Sequence, residues 1–284
     1  MSQHTAPPKA APSKGPSRRA LLTGAIVGVV VMFVAVLGFA WFSGGSEPAS
    51  TGPSAVAVNE LGPAAPGADL PASTTFTSIE GAPTDPDPNA VTDGVVVHPV
   101  RETPVFDAPG GQAIARMEPT QFGDTWLPVI AEDQGFVQVL LPSRPDASTG
   151  WLRADDVERA RTPYVVNVHL GSMRLELVRD GDSVGEWPIA VGKPGTPTPT
   201  GRTFLLGAFS DPNQHFSPVI LPLGTHSPTH DTFGGGPGTV AIHTWPSEDV
   251  FGSAVSEGCI RVPADALDQL AEVPLGTLVM IDQD

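Results

Sequence analysis

The chain is 284 residues long, which is enough for about two domains, and its 32 Pro and 31 Gly residues exceed a fifth of the total, which indicates linker segments. Four of the 15 Lys and Arg residues lie in residues 1–42, which contain no Asp or Glu. Residues 43–284 therefore contain all 31 acidic residues but only eleven basic ones. Such an acidic surface repels nucleic acid and anionic lipid, so neither is expected as a partner.

A stretch of 23 uncharged residues at positions 20–42 predicts a membrane-spanning helix. As a helix it would be about 35 Å long, enough to cross a hydrocarbon core of about 30 Å with some tilt. The nearby basic residues all precede it, and the next one along the chain is Arg101. The positive-inside rule therefore predicts a single-pass cell-membrane protein with residues 1–19 in the cytoplasm and the remainder outside.

A cleaved export signal is the alternative for this segment. Residues 17–22, which include Arg18 and Arg19, are similar to a twin-arginine signal, and a cleavable peptide could end near Ala40. The apolar stretch is long for a cleaved signal and a good small-x-small cleavage site is not obvious, so a retained signal anchor is favoured. In both cases most of the chain is expected on the outer side of the cell membrane.

Residues 43–90 consist mainly of Pro, Ala, Gly, Ser and Thr, with few large apolar side chains. Such a composition cannot bury enough surface to offset the entropy lost on ordering. We therefore predict an extended, disordered linker that lifts the later domains off the membrane.

Residues 91–160 show short apolar runs separated by turns, which is the spacing of a small β-barrel. Turn signals fall at residues 108–111 and 132–135. The segment Thr149-Gly150-Trp151-Leu152-Arg153 resembles the last strands of bacterial SH3-like domains. Trp126 and Trp151 are interpreted as core aromatics of that domain.

Residues 161–284 continue the β pattern and predict a mostly antiparallel sheet sandwich. Residues 164–170 and 173–179 alternate, and Asp180-Gly181 supplies a hairpin turn to the next run. The clear helical stretch is residues 264–271, opened by Pro263, with Ala266, Leu267 and Leu270 on one face. The predicted fold class is thus mainly β with one short helix.

Cys259 is the only cysteine, so it cannot form an intramolecular disulfide. It lies in Ser256-Glu257-Gly258-Cys259-Ile260-Arg261, sixteen residues after His243, which ends a Val-Ala-Ile-His run. An isolated free cysteine is more often a small buried hydrophobe. A thiol beside small residues, with a histidine at a predicted strand end, instead suggests a nucleophile and its base.

The second domain resembles the catalytic domain of the L,D-transpeptidases, cysteine enzymes that cross-link peptidoglycan. Three pieces carry the resemblance in the expected order: the loop at residues 192–201, the strand ending in His243, and the Ser-Glu-Gly-Cys element that ends at Cys259. The resemblance implies a β-sandwich catalytic domain that faces the cell wall.

The resemblance also implies roles for the residues. Cys259 would attack the carbonyl between the third and fourth residues of a donor stem peptide, leaving a thioester, and His243 would take the proton from sulfur. The main-chain carbonyl of Thr244 would orient the imidazole, and the N–H groups of Gly258 and Cys259 would form the oxyanion hole. An acceptor stem peptide then takes the acyl group. Carbapenem-type inhibitors would acylate Cys259, and no cofactor or metal is expected.

The chain departs from the family pattern where Glu257 replaces the usual histidine. A carboxylate pointing at sulfur would raise the pKa of Cys259, whereas one pointing away could hold the loop or meet a substrate ammonium group. Arg261 could contact a substrate carboxylate or pair with Glu257.

Five residues in all are candidate substrate-binding residues: Ser256, Glu257, Arg261, His226 and His230. The last two have the spacing of a zinc pair on a helix, but Pro228 between them makes a regular helix implausible. They are therefore expected on a loop beside the cleft.

Two other functions remain open from the sequence. Transfer to water instead of an amine would make the protein an L,D-carboxypeptidase. The alternative from another functional class is a non-catalytic anchor that binds the cell wall. It is considered because Glu257 stands where the family usually has a histidine.

Overall fold

The computed structural model describes residues 70–284. Within that range no helix has the length and apolar character needed to cross a bilayer. The predicted cytoplasmic tail, the predicted membrane span at residues 20–42 and the first part of the predicted linker lie outside the described residues.

The first part of the described chain forms a seven-stranded antiparallel sheet in the order β3-β2-β8-β7-β6-β1-β9. A two-stranded hairpin, β4-β5, and a 3-10 turn at Ala154–Asp156 complete it. The strands are β1 (Val95–Pro99), β2 (Thr103–Phe106), β3 (Ala113–Met117), β4 (Thr120–Gln121), β5 (Gly123–Asp124), β6 (Leu127–Asp133), β7 (Phe136–Leu140), β8 (Thr149–Arg153) and β9 (Val157–Arg161).

Turn chemistry and burial explain the strands of this sheet. Strands β6 and β7 are joined by Gln134 and Gly135, which both have positive φ, as a two-residue hairpin loop requires. All five residues of β7 are buried, because the strand is covered on both faces. The turn predicted at residues 132–135 is therefore confirmed, while the likeness to SH3-like domains stays a prediction.

Residues 70–90 depart from the predicted extended linker. Ile79 is 1% exposed, and its main-chain N–H donates to the carbonyl of Arg144 at 2.9 Å. Asp85 is buried and accepts two hydrogen bonds from Arg202, each 2.6 Å long. The average composition of this segment did not indicate that Ile79 would be buried or that Asp85 would form a buried ion pair. These two contacts hold the segment against the rest of the chain.

The second part contains a five-stranded sheet, a three-stranded sheet and a two-stranded ladder, in the orders β12-β11-β10-β19-β14, β15-β16-β18 and β13-β17. Its strands are β10 (Tyr164–His169), β11 (Arg174–Arg179), β12 (Asp182–Pro188), β13 (Val191–Gly192), β14 (Gly201–Phe204), β15 (Leu221–His226), β16 (Thr239–His243), β17 (Ala254–Ser256), β18 (Ile260–Arg261) and β19 (Leu278–Asp282). The one α-helix of this second part is α1 (Ala264–Ala271), and a 3-10 turn lies at Glu248–Val250.

The predicted hairpin and helix of this part are confirmed. Asp180 and Gly181 both have positive φ between β11 and β12. Helix α1 buries Ala266, Leu267 and Leu270 in the core. Three ladders are parallel (β10 with β19, β13 with β17, β16 with β18), so the sheets are more mixed than the predicted antiparallel sandwich.

The two parts share apolar packing. Phe204, Leu206 and Leu278 belong to the second part of the chain, yet they lie in one cluster with buried residues of the first sheet such as Val97 and Leu127. The core of the first sheet is therefore completed by the second part.

Candidate active site

Two neighbouring strands place the candidate catalytic residues. Strand β16 ends at His243, and β18 begins directly after Cys259; the strands are parallel, with Ile242 beside Ile260 and His243 beside Arg261. Ile242 and Ile260 are fully buried in the core. Because side chains alternate along extended chain, His243, Cys259 and Arg261 point to the opposite face. The structure thus brings together residues that lie sixteen positions apart in the sequence.

The imidazole of His243 has a fixed orientation. Its Nδ1 lies 2.7 Å from the carbonyl oxygen of Thr244. A carbonyl can only accept, so Nδ1 carries the proton and Nε2 presents a lone pair when the ring is neutral. The Thr244 peptide is itself held, because its N–H donates to Ser217 Oγ at 3.0 Å. The contact between His243 and Thr244 is the one that the family resemblance implied.

Aromatic rings cover His243. The ring centroid of Phe216 lies 4.9 Å from that of His243, and the centroid of Trp245 lies 6.2 Å from it. His243 is 6% exposed. Burial lowers the pKa of His243 from 6.5 to about 4, the hydrogen bond to Thr244 opposes this shift, and the positive charge of Arg261 adds to it. The imidazole is therefore neutral at pH 7 and able to accept a proton.

Cys259 is partly exposed as a residue, but burial of its thiol raises the pKa. Hydrogen bonding from the main chain of Ala241 and the positive charge of Arg261 oppose this effect. At neutral pH both the thiol and the imidazole of His243 are uncharged. This pair therefore favours proton transfer during attack over a preformed thiolate–imidazolium pair.

Ser256 stabilises the loop before Cys259. Its hydroxyl donates to the carbonyl of Cys259 at 2.6 Å and accepts the N–H of Gly258 at 3.1 Å. Ser256 is 1% exposed. This corrects two predictions: Ser256 is buried rather than available to a substrate, and the Gly258 N–H is already engaged rather than available to an oxyanion. Gly258 is required for another reason, since its φ of +116° is a conformation that L residues rarely adopt.

Two buried threonines that the sequence analysis did not select connect the loop at residues 192–201 to the Cys259 loop. Thr196 Oγ1 donates to the carbonyl of Ser256 at 3.1 Å. Thr198 Oγ1 donates to the carbonyl of Gly258 at 2.9 Å and accepts the N–H of Gly192 at 2.9 Å. Their position in a Thr-Pro-Thr-Pro repeat was the available signal, but only the folded chain shows that their hydroxyls face the nucleophile loop.

Glu257 is directed towards a cation. Its carboxylate forms an ion pair with Lys193, and Oε2 lies 4.0 Å from Nε2 of His230. The hydrogen bond from Lys193 holds the pKa of Glu257 below its usual value. Glu257 therefore links the Cys259 loop to the loop that begins at Gly192, the second of the two orientations considered from the sequence. His230 lies beside this pair, as expected for a loop residue next to the site.

Arg261 lies over an aromatic ring. Its guanidinium carbon is 3.7 Å from the centroid of Trp245, a cation–π contact. Its Nε is buried without a hydrogen-bond partner, and no carboxylate of residues 70–284 lies within ion-pair distance of it. The predicted alternative of an ion pair with Glu257 is thus not found. The remaining alternative, contact with a substrate carboxylate, stays a prediction.

His226 is not placed where a substrate could reach it. It is fully buried; its Nδ1 lies 2.8 Å from Asp146 Oδ1, and its Nε2 lies 2.8 Å from the carbonyl oxygen of Thr75. This corrects its assignment as a substrate-binding residue. The sequence could not show it, because the partners lie 80 and 151 residues away. Residues 70–284 contain no group of three or more His, Cys, Asp or Glu side chains arranged to hold a metal.

Comparison with known proteins identifies one family. The sequence model of the L,D-transpeptidase catalytic domain, YkuD, matches residues 163–281. The YkuD protein of Bacillus licheniformis is 30% identical over 167 residues, which cover 56% of this chain and 94% of that protein. The YkuD protein of Bacillus subtilis is 29% identical over 168 residues, which cover 57% of this chain and 95% of that protein.

Among solved structures, L,D-transpeptidase 3 from Mycobacterium tuberculosis in complex with a faropenem-derived adduct is 15% identical, with a TM-score of 0.37 over 56% of this chain and 93% of that chain. An L,D-transpeptidase from Mycobacterium smegmatis is 17% identical, with a TM-score of 0.36 over 55% of this chain and 82% of that chain. The sequence relation alone is close enough to identify the family. The chain belongs to the L,D-transpeptidase family.

Proposed function

We propose that this protein is a cell-wall L,D-transpeptidase that forms cross-links between third-position residues of peptidoglycan stem peptides. One observation carries the proposal: the Thr244 carbonyl holds the Nδ1 proton of His243, which leaves the Nε2 lone pair on the strand face that also bears Cys259. A thiol and a correctly protonated imidazole on one face are what acyl transfer from an amide needs.

Cys259 and His243 alone can supply every proton transfer that the acylation step needs. The Cys259 sulfur attacks the carbonyl of the donor stem peptide while its proton moves to Nε2 of His243. When the tetrahedral intermediate collapses, the C–N bond breaks and the departing amine takes the proton from His243. The products are a thioester on Cys259 and a released terminal residue. In the second half, an acceptor amine attacks the thioester, its proton passes through His243, and the sulfur leaves as a thiol.

The main-chain N–H of Cys259 is the proposed oxyanion donor. It donates to no protein group within residues 70–284, whereas the N–H of Gly258 is taken by Ser256. One such donor contributes about 3 kcal/mol to transition-state stabilisation in comparable enzymes. The positive charge of Arg261, which opposes the rise in the pKa of Cys259, would further stabilise negative charge on sulfur or on a substrate carboxylate.

The proposed location follows from the sequence outside the described residues. If residues 20–42 span the cell membrane with residues 1–19 in the cytoplasm, the catalytic domain faces the cell wall. Peptidoglycan stem peptides, as donor and as acceptor, are the proposed partners.

The test incubates the full-length protein with a tetrapeptide-stem muropeptide and identifies the products by mass. A cross-linked dimer supports transpeptidation, whereas a tripeptide monomer alone would identify an L,D-carboxypeptidase. A parallel incubation with a carbapenem measures covalent labelling by intact mass, because the β-lactam amide presents the same kind of carbonyl. Wild-type protein without an adduct, or an adduct that persists in Cys259→Ala, would refute Cys259 as the nucleophile.

A further inference from the structure

A loop of the first sheet contacts the active-site side of the second part of the chain. The loop between β7 and β8 carries Arg144 and Asp146, which face the segment of residues 226–238, hereafter the 226–238 segment. Arg144 Nη2 donates to the carbonyls of His230 at 3.2 Å and Pro237 at 3.0 Å. Asp146 Oδ1 accepts the main-chain N–H of His226 at 3.0 Å and lies 2.8 Å from Nδ1 of the same residue. These bonds fix the segment near both of its ends.

The 226–238 segment reaches the nucleophile loop. The Ser227 hydroxyl would lie 3.8 Å from a Cβ built on Gly258, and His230 Nε2 lies 4.0 Å from Glu257 Oε2. The His230 ring is oriented from its other side, where Nδ1 lies 3.3 Å from Ser227 Oγ and 3.2 Å from Thr229 Oγ1. The segment therefore forms a wall beside the residues that precede Cys259.

Residues 70–90 in turn form hydrogen bonds with the loop that carries Arg144. The Arg144 N–H donates to the carbonyl of Thr77, and its carbonyl accepts the N–H of Ile79, both at 2.9 Å. His226 Nε2 donates to the carbonyl of Thr75 at 2.8 Å, since a carbonyl can only accept. Residues far before the catalytic domain thus hold one wall of the site through a continuous set of hydrogen bonds.

We propose that Arg144 and Asp146 are positioning residues: they hold the 226–238 segment against the Cys259 loop, so the first sheet is part of the active site rather than a separate module. This inference rests on the proposed function, because the wall matters only if a substrate is acylated there. Neither residue touches the sulfur or the imidazole. Their removal should therefore misplace a bulky substrate while leaving the thiol itself intact.

The test compares full-length Arg144→Ala and Asp146→Ala with wild type in two reactions of the single cysteine. Carbapenem acylation, followed by intact mass at increasing inhibitor concentration, should slow about tenfold to 100-fold, since a misplacement near 1 Å has an effect of that size. Modification by a small disulfide reagent, which needs no wall, should change less than twofold. Asp146→Asn should restore acylation, because its amide oxygen still accepts the N–H of His226.

The control is Glu132→Ala, which breaks an exposed ion pair with Arg159 in the same sheet and should leave both rates unchanged. Wild-type acylation in both alanine variants would overturn the proposal. So would a parallel loss of both reactions, because the residues would then only support the fold.

Hydrogen exchange followed by mass spectrometry separates this inference from the proposed function. Peptides covering the 226–238 segment should exchange faster in Arg144→Ala and Asp146→Ala than in wild type and close to the wild-type rate in Asp146→Asn, while peptides from β7 stay unchanged in all three variants. Unaltered exchange in the segment would overturn the positioning role even if the enzyme is active. A wild type that takes no carbapenem and releases no product would instead refute the proposed function.

Discussion

The low pKa of His243 predicts a specific loss of stability in acid. The ring is neutral and buried in the folded chain, with a pKa of about 4, and becomes exposed to water with a pKa near 6.5 on unfolding. Between those two values the unfolded state binds more protons than the folded state, so acid favours unfolding. The stability that the neutral imidazole of His243 contributes is fully present above pH 6.5. It is lost as the pH drops towards 4, and below pH 4 the free energy of unfolding no longer changes because of this group.

The size of the effect follows from the shift. A difference of roughly 2.5 pKa units corresponds to about 3 kcal/mol of unfolding free energy. His243→Gln removes the titration but keeps an amide N–H that can donate to the Thr244 carbonyl, so it is the matched control. Other histidines and carboxylates titrate in both proteins, and their contributions cancel in the comparison.

The assay is urea denaturation at pH 7 and pH 4, followed by tryptophan fluorescence. Wild type should lose about 3 kcal/mol more than His243→Gln between the two pH values. In the wild type, kcat/KM should also decline only as the pH approaches 4, because the base is unprotonated above that value. Equal losses in the two proteins, or an acid limb near pH 6.5, would refute the assignment of a buried neutral imidazole.

Three further outcomes follow from other contacts. Asp85→Ala should reduce the free energy of unfolding by about 3–5 kcal/mol, because it leaves a buried guanidinium unpaired, and an unchanged urea midpoint would contradict this. Thr198→Val keeps the side-chain shape but removes the hydrogen bonds to Gly192 and Gly258, so carbapenem acylation should slow about tenfold while the fold is retained. An unaltered rate would show that the Cys259 loop does not need these hydrogen bonds. Lys193→Ala should raise the pKa of Glu257 towards its ordinary value, measured by NMR titration, and an identical titration curve would exclude the ion pair in solution.

Local pattern was sufficient for several elements of the fold. The hairpin turns at Gln134-Gly135 and Asp180-Gly181 both end in a glycine, which adopts positive φ without steric cost, and Asp-Gly is in addition a preferred pair for a two-residue hairpin loop. Helix α1 follows from one apolar face after Pro263. The family assignment, carried by three motifs in order, is confirmed by the matching sequence model and the relatives.

The long-range contacts could not be predicted in the same way. His226 looked like a loop histidine, but its partners come from residues 75 and 146, and no periodicity links such distant positions. Residues 70–90 looked like a linker, because composition averages over a segment and conceals single anchors such as Ile79 and Asp85. The role of the Gly258 N–H was misassigned because the resemblance names a donor without showing that a nearby hydroxyl already accepts from it.

The shared apolar cluster has a practical consequence for cutting or recombining this protein. A fragment that begins at residue 163, where the match to the family's sequence model starts, would expose Phe204, Leu206 and Leu278 to water. It would also strip the buried Arg202 of its counter-charge. Exposed apolar area of this kind promotes aggregation. The start of the sequence match is therefore not the start of an independently folding unit. An exchange of the catalytic portion between relatives has to include the preceding sheet.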